Sequence, residues 1–475
     1  MWLVGCVAQH SNAPKEGPRI MSRVCLHCTL AFFVCLIAGT LSHAAEKPNI
    51  LFVYLDDFGW RDTGYMGSDF YESPYLDKLA SQGMVFTDAY SCAANCAPAR
   101  GCLLSGQYTP RHRIFNVGTG PRGNGKHRRL EHIPGTTTLS PETITWAEAL
   151  QAAGYKTGMF GKWHVGTSPV EQGFDTAVEF RKLPGFRGHI GPNGEYLADV
   201  LTDRAIEFIE DNRSGPWCAY LAHWAVHTPL QPKKELLPKY QAKQPGKLHN
   251  HAIMATMIQA VDDGVGRLVK TLDRLELTDN TVVIFYSDNG GYGPATDMDP
   301  LKGYKGTYYE GGIRVPFFVK WPGVVKSGTK SAEPIIGVDL YPTLCEIAGA
   351  KLPKEQPLDG VSLVPLLSGK VKTFEDRPLF WHFPAYLQGK AEGARDEYFR
   401  TRPAGAIRLG DWKLIEYFED ASLELYNLKG DIGETTNLTR ELPEKTNELH
   451  EKLIQWRQSI NAPVPTELNP KYEPR

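Results

Sequence analysis

The sequence predicts an α/β protein with a large, mostly parallel sheet between helices, followed by a smaller C-terminal α+β subdomain with an antiparallel sheet. Residues 49–55 and 281–286 are continuous apolar runs of strand length, which is typical of strands buried on both faces of a parallel sheet. Strand-like and helix-like stretches alternate between these two runs. From about Phe374 the pattern changes to short, aromatic-rich strands that precede one helical stretch.

The individual elements follow from apolar periodicity and from Pro and Gly at the boundaries. In the large domain, residues 45–373, we expect helices at 74–81 and 141–153 and further strands at 84–88, 156–160, 217–222 and 315–320. In the C-terminal subdomain, residues 374–475, we expect strands at 377–383, 406–409, 412–418 and 423–428 and a helix at 442–460. The tail after Pro463 looks loosely structured.

Length and composition are those of an ordinary globular protein. The 475 residues, of which 42% are hydrophobic and 22% charged, suffice for one large core and a smaller domain. A formal net charge of -2 gives no reason to expect a nucleic-acid partner. The basic cluster at residues 122–129 is interpreted as a solvated loop, with contact to an anionic polymer as the alternative.

Residues 1–44 are predicted to be an N-terminal extension and a signal peptide. The apolar run at 29–41 follows Met21-Ser22-Arg23, a candidate start, and ends in small residues at 42–44. The run is short for a membrane span and no later stretch reaches about 18 apolar residues, so we expect no transmembrane anchor. The predicted location is therefore secreted or periplasmic.

Oxygen ligands follow two of the predicted buried strands. Asp56 and Asp57 end the first strand, and Asp288 and Asn289 follow the strand at 281–286. Ligands of open α/β sheets gather at the carboxyl ends of strands, and adjacent buried carboxylates are costly unless a cation neutralises them. Oxygen donors favour a hard cation, with Ca²⁺ preferred. The alternative for the first pair is a simple Asp-Asp-x-Gly turn.

A candidate anion site surrounds Cys96. Pro98 suits the first turn of a short helix, so the side chain of Cys96 should lie over free backbone N–H groups, with Arg100 about one turn further. Cys92, Cys96 and Cys102 could instead form a disulfide cluster or a metal knuckle, although no Cys-x-x-Cys pair accompanies them. Cys218 and Cys345 lie in apolar runs and are expected in the core.

Three further segments carry cationic or imidazole side chains. After the strand at 156–160, Lys162 and His164 would face one side of an extended segment, with Trp163 packed behind them. His227 follows the strand at 217–222, and Lys305 lies in a glycine-rich segment that could approach an anion closely. Each segment by itself could equally be a surface loop or part of the core.

Together these motifs resemble the type I, formylglycine-dependent sulfatases, arylsulfatase A-like members of the alkaline-phosphatase-like superfamily. Their Cys-x-Pro-x-Arg signature is matched at residues 96–100 and continues into Leu104-Ser105-Gly106. Their Gly-Lys-Trp-His-Leu-Gly motif is matched at 161–166 except at Val165, and Lys-Gly-Thr-x-Tyr-Glu-Gly-Gly-x-Arg is matched at 305–314. The resemblance spans roughly residues 47–440 and implies an alkaline-phosphatase-like sandwich.

The resemblance implies a mechanism. A separate maturation enzyme would convert Cys96 to formylglycine (3-oxoalanine), whose hydrate is the nucleophile. The Ca²⁺ ligands would be Asp56, Asp57, Asp288 and Asn289, with residue 96 beside them. The cations that stabilise charge on the sulfuryl oxygens would be Arg100, Lys162 and Lys305. His227 or Lys305 would protonate the departing alcohol, His164 would remove a proton from the second geminal hydroxyl, and His223 is left as a core histidine.

The expected activity is hydrolysis of sulfuric esters, with a sulfated carbohydrate as substrate, such as a galactose or N-acetylgalactosamine sulfate in a polysaccharide. Lys162, His227, Lys305 and His382 are the candidate substrate-binding residues. The aromatic segment 381–386 could alternatively fill the core between the two sheets. Two other functions stay open, a phosphoester or phosphonate hydrolase on the same scaffold and a non-catalytic protein that binds sulfated glycans.

Overall fold

The computed structural model describes residues 47–166, 168–375, 377–390 and 392–474. The predicted signal segment and Met21 lie outside the described residues. The strands are β1 (Asn49–Leu55), β2 (Met84–Phe86), β3 (Ala89–Tyr90), β4 (Lys156–Gly161), β5 (Thr176–Glu179), β6 (Trp217–Ala222), β7 (Thr281–Ser287), β8 (Phe317–Lys320), β9 (Thr329–Ser331), β10 (Ile335–Ile336), β11 (Leu379–Phe383), β12 (Leu387–Gln388), β13 (Phe399–Thr401), β14 (Ala404–Leu409), β15 (Trp412–Tyr417) and β16 (Ser422–Asn427). The α-helices are α1 (Pro74–Ser81), α2 (Cys96–Ser105), α3 (Thr109–His112), α4 (Trp146–Ala152), α5 (Leu197–Asp211), α6 (Leu237–Ala242), α7 (Ala252–Arg274), α8 (Glu310–Ile313), α9 (Leu340–Ala348), α10 (Val364–Leu367) and α11 (Pro443–Ser459).

The large sheet has eight strands in the order β5-β4-β6-β1-β7-β8-β2-β9. The strands from β5 to β7 pair in parallel, whereas β8 is antiparallel to both of its neighbours. Every residue of β1, β6 and β7 is buried, which explains their unbroken apolar sequences. The predicted α/β class with a mostly parallel sheet is confirmed.

Helices cover both faces of this sheet. In β1, Ile50, Phe52 and Tyr54 pack into one core cluster, while Leu51, Val53 and Leu55 pack into the other. The first cluster includes buried side chains of α2, α4 and α9, and the second includes those of α5 and α7. Because successive side chains along a strand point to opposite faces of the sheet, β1 contributes to the hydrophobic core on both faces.

The C-terminal region contains an antiparallel sheet in the order β11-β14-β15-β16, as predicted, with α11 packed on β14 and β15. Trp456 of α11 stacks on Phe380, with ring centroids 4.4 Å apart. The tail is better anchored than expected, because the Asn469 amide donates hydrogen bonds of 2.8 Å to the carbonyl oxygens of Gly125 and Arg128.

Several element boundaries differ from prediction, and two of the differences have local reasons. The helix expected to begin near residue 141 begins at Trp146, because Thr145 and Glu148 form a capping box there. The strand expected from residue 315 begins at Phe317, since Pro316 has no N–H to donate to a neighbouring strand.

A buried ionic cluster joins the C-terminal sheet to α8. The Lys413 ammonium on β15 lies 2.9 Å from Glu310 on α8 and 2.8 Å from Glu434, and all three side chains have no solvent exposure. Arg314 adds a second cation 3.0 Å from Glu310. Glu310 and Arg314 of the glycine-rich motif therefore serve the packing of the two sheets.

Candidate active site

Four adjacent parallel strands, β4, β6, β1 and β7, end at the same edge of the large sheet. Gly161 pairs with Ala222 at one place on this edge, and Leu55 pairs with Ser287 at another. The chain leaves these strand ends at Lys162, His223, Asp56 and Asp288, so the register alone brings the sequence-predicted residues into one region.

The acidic part of the site is fully buried. Asp56, Asp57, Asp288 and Asn289 are each at most 1% exposed. The backbone N–H of Asp57 donates to Asp288 Oδ1 at 3.3 Å, and Asn289 Nδ2 donates to Asp57 Oδ1 at 2.8 Å. Two buried oxygens, Asp56 Oδ1 and Asn289 Oδ1, have no hydrogen-bond partner among the described residues. A cation ligand is the natural partner for such oxygens.

Each of the three carboxylates contacts a cationic side chain. Lys162 Nζ contacts Asp56 Oδ2, and Lys305 Nζ lies 2.5 Å from Asp57 Oδ1. Asp288 Oδ2 accepts hydrogen bonds from both Nε and Nη2 of Arg100, at 3.1 and 2.8 Å. Burial alone would raise the pKa of Asp56, but Lys162 and the other cations lower it below its usual range. The formal charges of these six side chains sum to zero.

Cys96 is the first residue of α2, and Asn95 before it has extended backbone angles. The cysteine is 2% exposed and lines a cavity of about 330 Å³, together with Lys162, His164, His227 and Lys305. Cys92, Cys96, Cys102, Cys218 and Cys345 are all buried and free, so the disulfide alternative does not describe this structure. The structure thus brings the predicted nucleophile and four predicted partners to one cavity.

Arg100 occupies a different position from the one expected. Its side chain has no solvent exposure, donates to the carbonyl oxygen of Lys162 at 2.9 Å and lies 4.8 Å from the Tyr54 ring centroid. With its other N–H groups on Asp288, the guanidinium does not face the cavity. Arg100 therefore positions Asp288 and the Lys162 backbone.

Lys162 and His164 reach the cavity through a turn. β4 ends at Gly161, and His164 has a left-handed φ of 67°, so the segment is not the extended strand that the sequence suggested. Trp163 packs behind, with its ring centroid 5.8 Å from that of Phe174. Burial, followed by the charge of Lys162, lowers the pKa of His164 to about 3, so the imidazole is neutral at pH 7.

The orientation of His227 is set by its backbone surroundings. Its Nδ1 lies 2.6 Å from the carbonyl oxygen of Thr228, which can only accept, so Nδ1 carries a proton. His189 Nε2 donates to the His227 carbonyl oxygen at 2.7 Å and fixes the main chain. His227 Nε2 therefore points to the acidic cluster, 3.8 Å from Asp57 Oδ2. Asp56, Asp57 and His227 also form a group able to hold a metal, a role that the sequence did not suggest for this histidine.

Two other histidines lie away from the cavity. His223 has no exposure, and burial lowers its pKa to about 3, as suits the core position expected for it. His382 is 1% exposed, donates from Nε2 to the Pro463 carbonyl oxygen at 2.8 Å and packs near Phe418 and Trp456. The structure thus does not bring His382 to the cavity, and the core alternative fits its surroundings.

The cavity wall also contains residues that sequence reasoning missed. Arg122, Arg181, Tyr292, Gln388 and Arg400 line it beside the predicted residues. Arg122 belongs to the basic cluster that was interpreted as a solvated loop, whereas the sequence around Arg181 and Arg400 gives no comparable signal.

Comparison with known proteins agrees with this arrangement. The Sulfatase family model matches residues 48–350, and the model for the C-terminal region of N-sulphoglucosamine sulphohydrolase matches residues 304–459. The chain belongs to the sulfatase family of the alkaline-phosphatase-like superfamily and is a sulfuric ester hydrolase.

Three relatives illustrate the similarity. A sulfatase of Formosa agariphila is 33% identical, over 90% of this chain and 91% of that protein. An N-acetylgalactosamine-6-O-sulfatase of Bacteroides thetaiotaomicron is 27% identical, over 86% of this chain and 93% of that protein. The crystal structure of Ps i-CgsB in complex with k-i-k-neocarrahexaose is 28% identical, with a TM-score of 0.73 over 89% of this chain and 95% of that one.

Proposed function

We propose that this protein is an exported sulfatase that hydrolyses sulfate esters of a carbohydrate, using Ca²⁺ and a formylglycine derived from Cys96. The observation that carries the proposal is the cavity in which Cys96, Lys162 and Lys305 meet above a buried cluster of carboxylates. Such a cavity offers positive charge to a tetrahedral oxyanion at the position of a single reactive side chain.

The acidic cluster fits a calcium ion. Asp56, Asp57, Asp288 and Asn289 would hold it, since they provide oxygen donors and two of their buried oxygens lack a hydrogen-bond partner within the described structure. Because the surrounding carboxylates and cations already balance, a bound Ca²⁺ would supply net positive charge next to the sulfuryl oxygens.

Position 96 fits a formylglycine. Its side chain is small, lies at the first residue of a ten-residue helix and borders the cavity. The family resemblance implies that a separate maturation enzyme makes this change. The hydrated aldehyde would supply the oxygen nucleophile that attacks sulfur.

The other residues of the cavity bind the ester and move protons. Lys162 and Lys305 would bind the sulfuryl oxygens, since both ammonium groups border the cavity. His227 donates its Nδ1–H to a backbone carbonyl, and in the imidazolium form, beside Asp57, it would give its Nε2 proton to the departing alcohol oxygen and become neutral, with Lys305 as the alternative donor. Neutral His164 has a buried Nδ1 with no partner among the described residues and can accept a proton.

A sulfated carbohydrate is the proposed substrate class. The Bacteroides relative is named for a sulfated N-acetylgalactosamine, and the Ps i-CgsB structure contains a neocarrahexaose. A galactose or N-acetylgalactosamine sulfate is therefore the first substrate to test.

No helix within the described residues has the length and apolar character needed to cross a membrane. Export rests on the signal-like residues 21–44 and is tested by fractionating the cells that produce the protein.

A parallel assay of aryl sulfate and aryl phosphate tests the chemistry. We expect the sulfate to be hydrolysed faster, and mass spectrometry of the peptide that contains residue 96 to detect formylglycine in active protein. Preference for the phosphate or a phosphonate would replace this proposal with the second hydrolase function. Binding of sulfated sugars without turnover of any ester, in protein with modified residue 96, would indicate a glycan-binding protein.

A further inference from the structure

The cavity contains two groups of cationic side chains that differ in their partners. The inner ammonium groups of Lys162 and Lys305 contact buried carboxylates. The outer group consists of Arg122, Arg181 and Arg400, and none of these arginines forms an ion pair with a carboxylate of the described residues. The positive charge of these three arginines is thus not neutralised by a carboxylate of the described residues.

Arg122 is held in place without being neutralised, and Arg400 retains an unsatisfied donor. Arg122 donates from Nε to Gln388 Oε1 at 2.6 Å and from Nη1 to the Val117 carbonyl oxygen at 2.7 Å, both uncharged acceptors. Arg400 is half-buried, and its Nε is buried with no hydrogen-bond partner in the described part of the chain. A buried donor of this kind is costly unless a ligand satisfies it.

Gly306 makes room for Arg400 beside the reactive end of the cavity. A Cβ at Gly306, next to Lys305, would lie 2.7 Å from Cδ of Arg400. Arg400 also lines a second cavity of about 340 Å³, which shares Lys305 and Tyr292 with the first. The second cavity therefore offers space for a further sugar unit next to the Arg400 guanidinium.

Building on the proposed function, we propose that Arg122 and Arg400 form a second anion subsite, which binds a sulfate or carboxylate group of the carbohydrate other than the sulfate that is cleaved. A planar guanidinium presents paired N–H donors that match the oxygens of such groups. Arg181 lines the same cavity and adds to its positive potential. The preferred substrate is then a sugar chain with at least two anionic groups.

Binding to Cys96→Ala protein loaded with Ca²⁺ tests this subsite without turnover. The probes are a disaccharide with one sulfate, the same disaccharide with a second sulfate on the neighbouring sugar, and the same disaccharide with a carboxylate there. Calorimetry should show roughly 10- to 100-fold tighter binding of a doubly charged probe. The preferred probe identifies whether sulfate or carboxylate is the ligand.

Adding Arg122→Gln or Arg400→Gln should abolish this preference, whereas adding Arg213→Gln, at an exposed arginine that lines neither cavity, should preserve it. Equal affinity for singly and doubly charged probes, absence of binding to all three, or a preference that survives both substitutions would overturn the subsite. Hydrolysis of 4-methylumbelliferyl sulfate by the protein with an intact, matured residue 96 is measured in parallel. This assay tests the proposed sulfatase function alone, whereas the binding measurements test the anion subsite, so failure of one can be distinguished from failure of the other.

Discussion

Replacing Lys413 with Met should destabilise the protein strongly, because Lys413 is the ammonium between Glu310 and Glu434. The three side chains have no exposure, and the ammonium lies within 2.9 Å of one carboxylate and 2.8 Å of the other. Methionine retains most of the length of the side chain and removes the ammonium group with its charge and its N–H donors. Removal of one partner from a buried ion pair costs about 3–5 kcal/mol. That loss is large against a total stability of about 5–15 kcal/mol.

Urea unfolding at pH 7 followed by circular dichroism measures the effect. Lys429→Met is the matched control, since Lys429 lies 4.0 Å from Asp411 on the surface, with the two side chains 80% and 54% exposed. An exposed pair of this kind contributes about 0–1 kcal/mol. If both substitutions reduced the free energy of unfolding by the same small amount, the buried cluster would not have the role assigned here.

The pH dependence gives a second check with a definite sign. Burial raises the pKa of Glu434 to about 7, above its unfolded value, so its contribution to stability is present at low pH and is lost as the pH rises towards 7. Burial acts in the same direction on Glu310, but Lys413 and Arg314 lower that pKa to about 2, and its contribution is lost as the pH falls from 4.5 to 2. Without Lys413 both carboxylates favour protonation, so the deficit of Lys413→Met should be smaller at pH 5 than at pH 7.

Three further predictions concern the active site. Cys96→Ala should reduce turnover of an aryl sulfate by roughly 10⁴-fold or more, because it removes the nucleophile. The unfolding midpoint should stay nearly unchanged, because the side chain that is replaced is small. An active variant would rule out residue 96 as the nucleophile. Asp288→Ala should lower both the calcium content, measured by mass spectrometry of the metal, and the activity; unchanged calcium would mean that the ligands are assigned wrongly. Arg100→Lys should weaken calcium binding by about 10- to 100-fold, since a lysine cannot reproduce the two hydrogen bonds to Asp288, and calcium titration would expose an error if the affinity were unaltered.

Much of the fold follows from local pattern. The apolar runs of β1 and β7 have the composition of strands buried on both faces, and parallel strands must end at a common edge. For this reason the proximity of Asp56 and Asp288 could be predicted across nearly half of the chain. Cys96 and Lys305 were identified through motif resemblance, and the structure brings both to the same cavity.

The wall of the cavity could not be predicted in this way. Arg122 and Gln388 are 266 positions apart in the chain, and their contact depends on how a loop of the large domain meets the β12–β13 hairpin. His382 was predicted to bind the substrate but lies in the core. Its sequence, an imidazole in an aromatic segment, does not reveal that the side chain is buried against α11. Arg100 was expected at the substrate because its signature lies there, yet the two carboxylate hydrogen bonds turn it inwards.

The two sides of the cavity have different origins in the chain. Asp56, Lys162 and Asp288 stand on strand ends inside the most deeply buried part of the protein, where any change disturbs packing. Gln388 and Arg400 stand on a short hairpin of two strands. Replacement of that hairpin would therefore change part of the cavity wall and leave the residues at the strand ends in place, so the two parts of the site can vary independently.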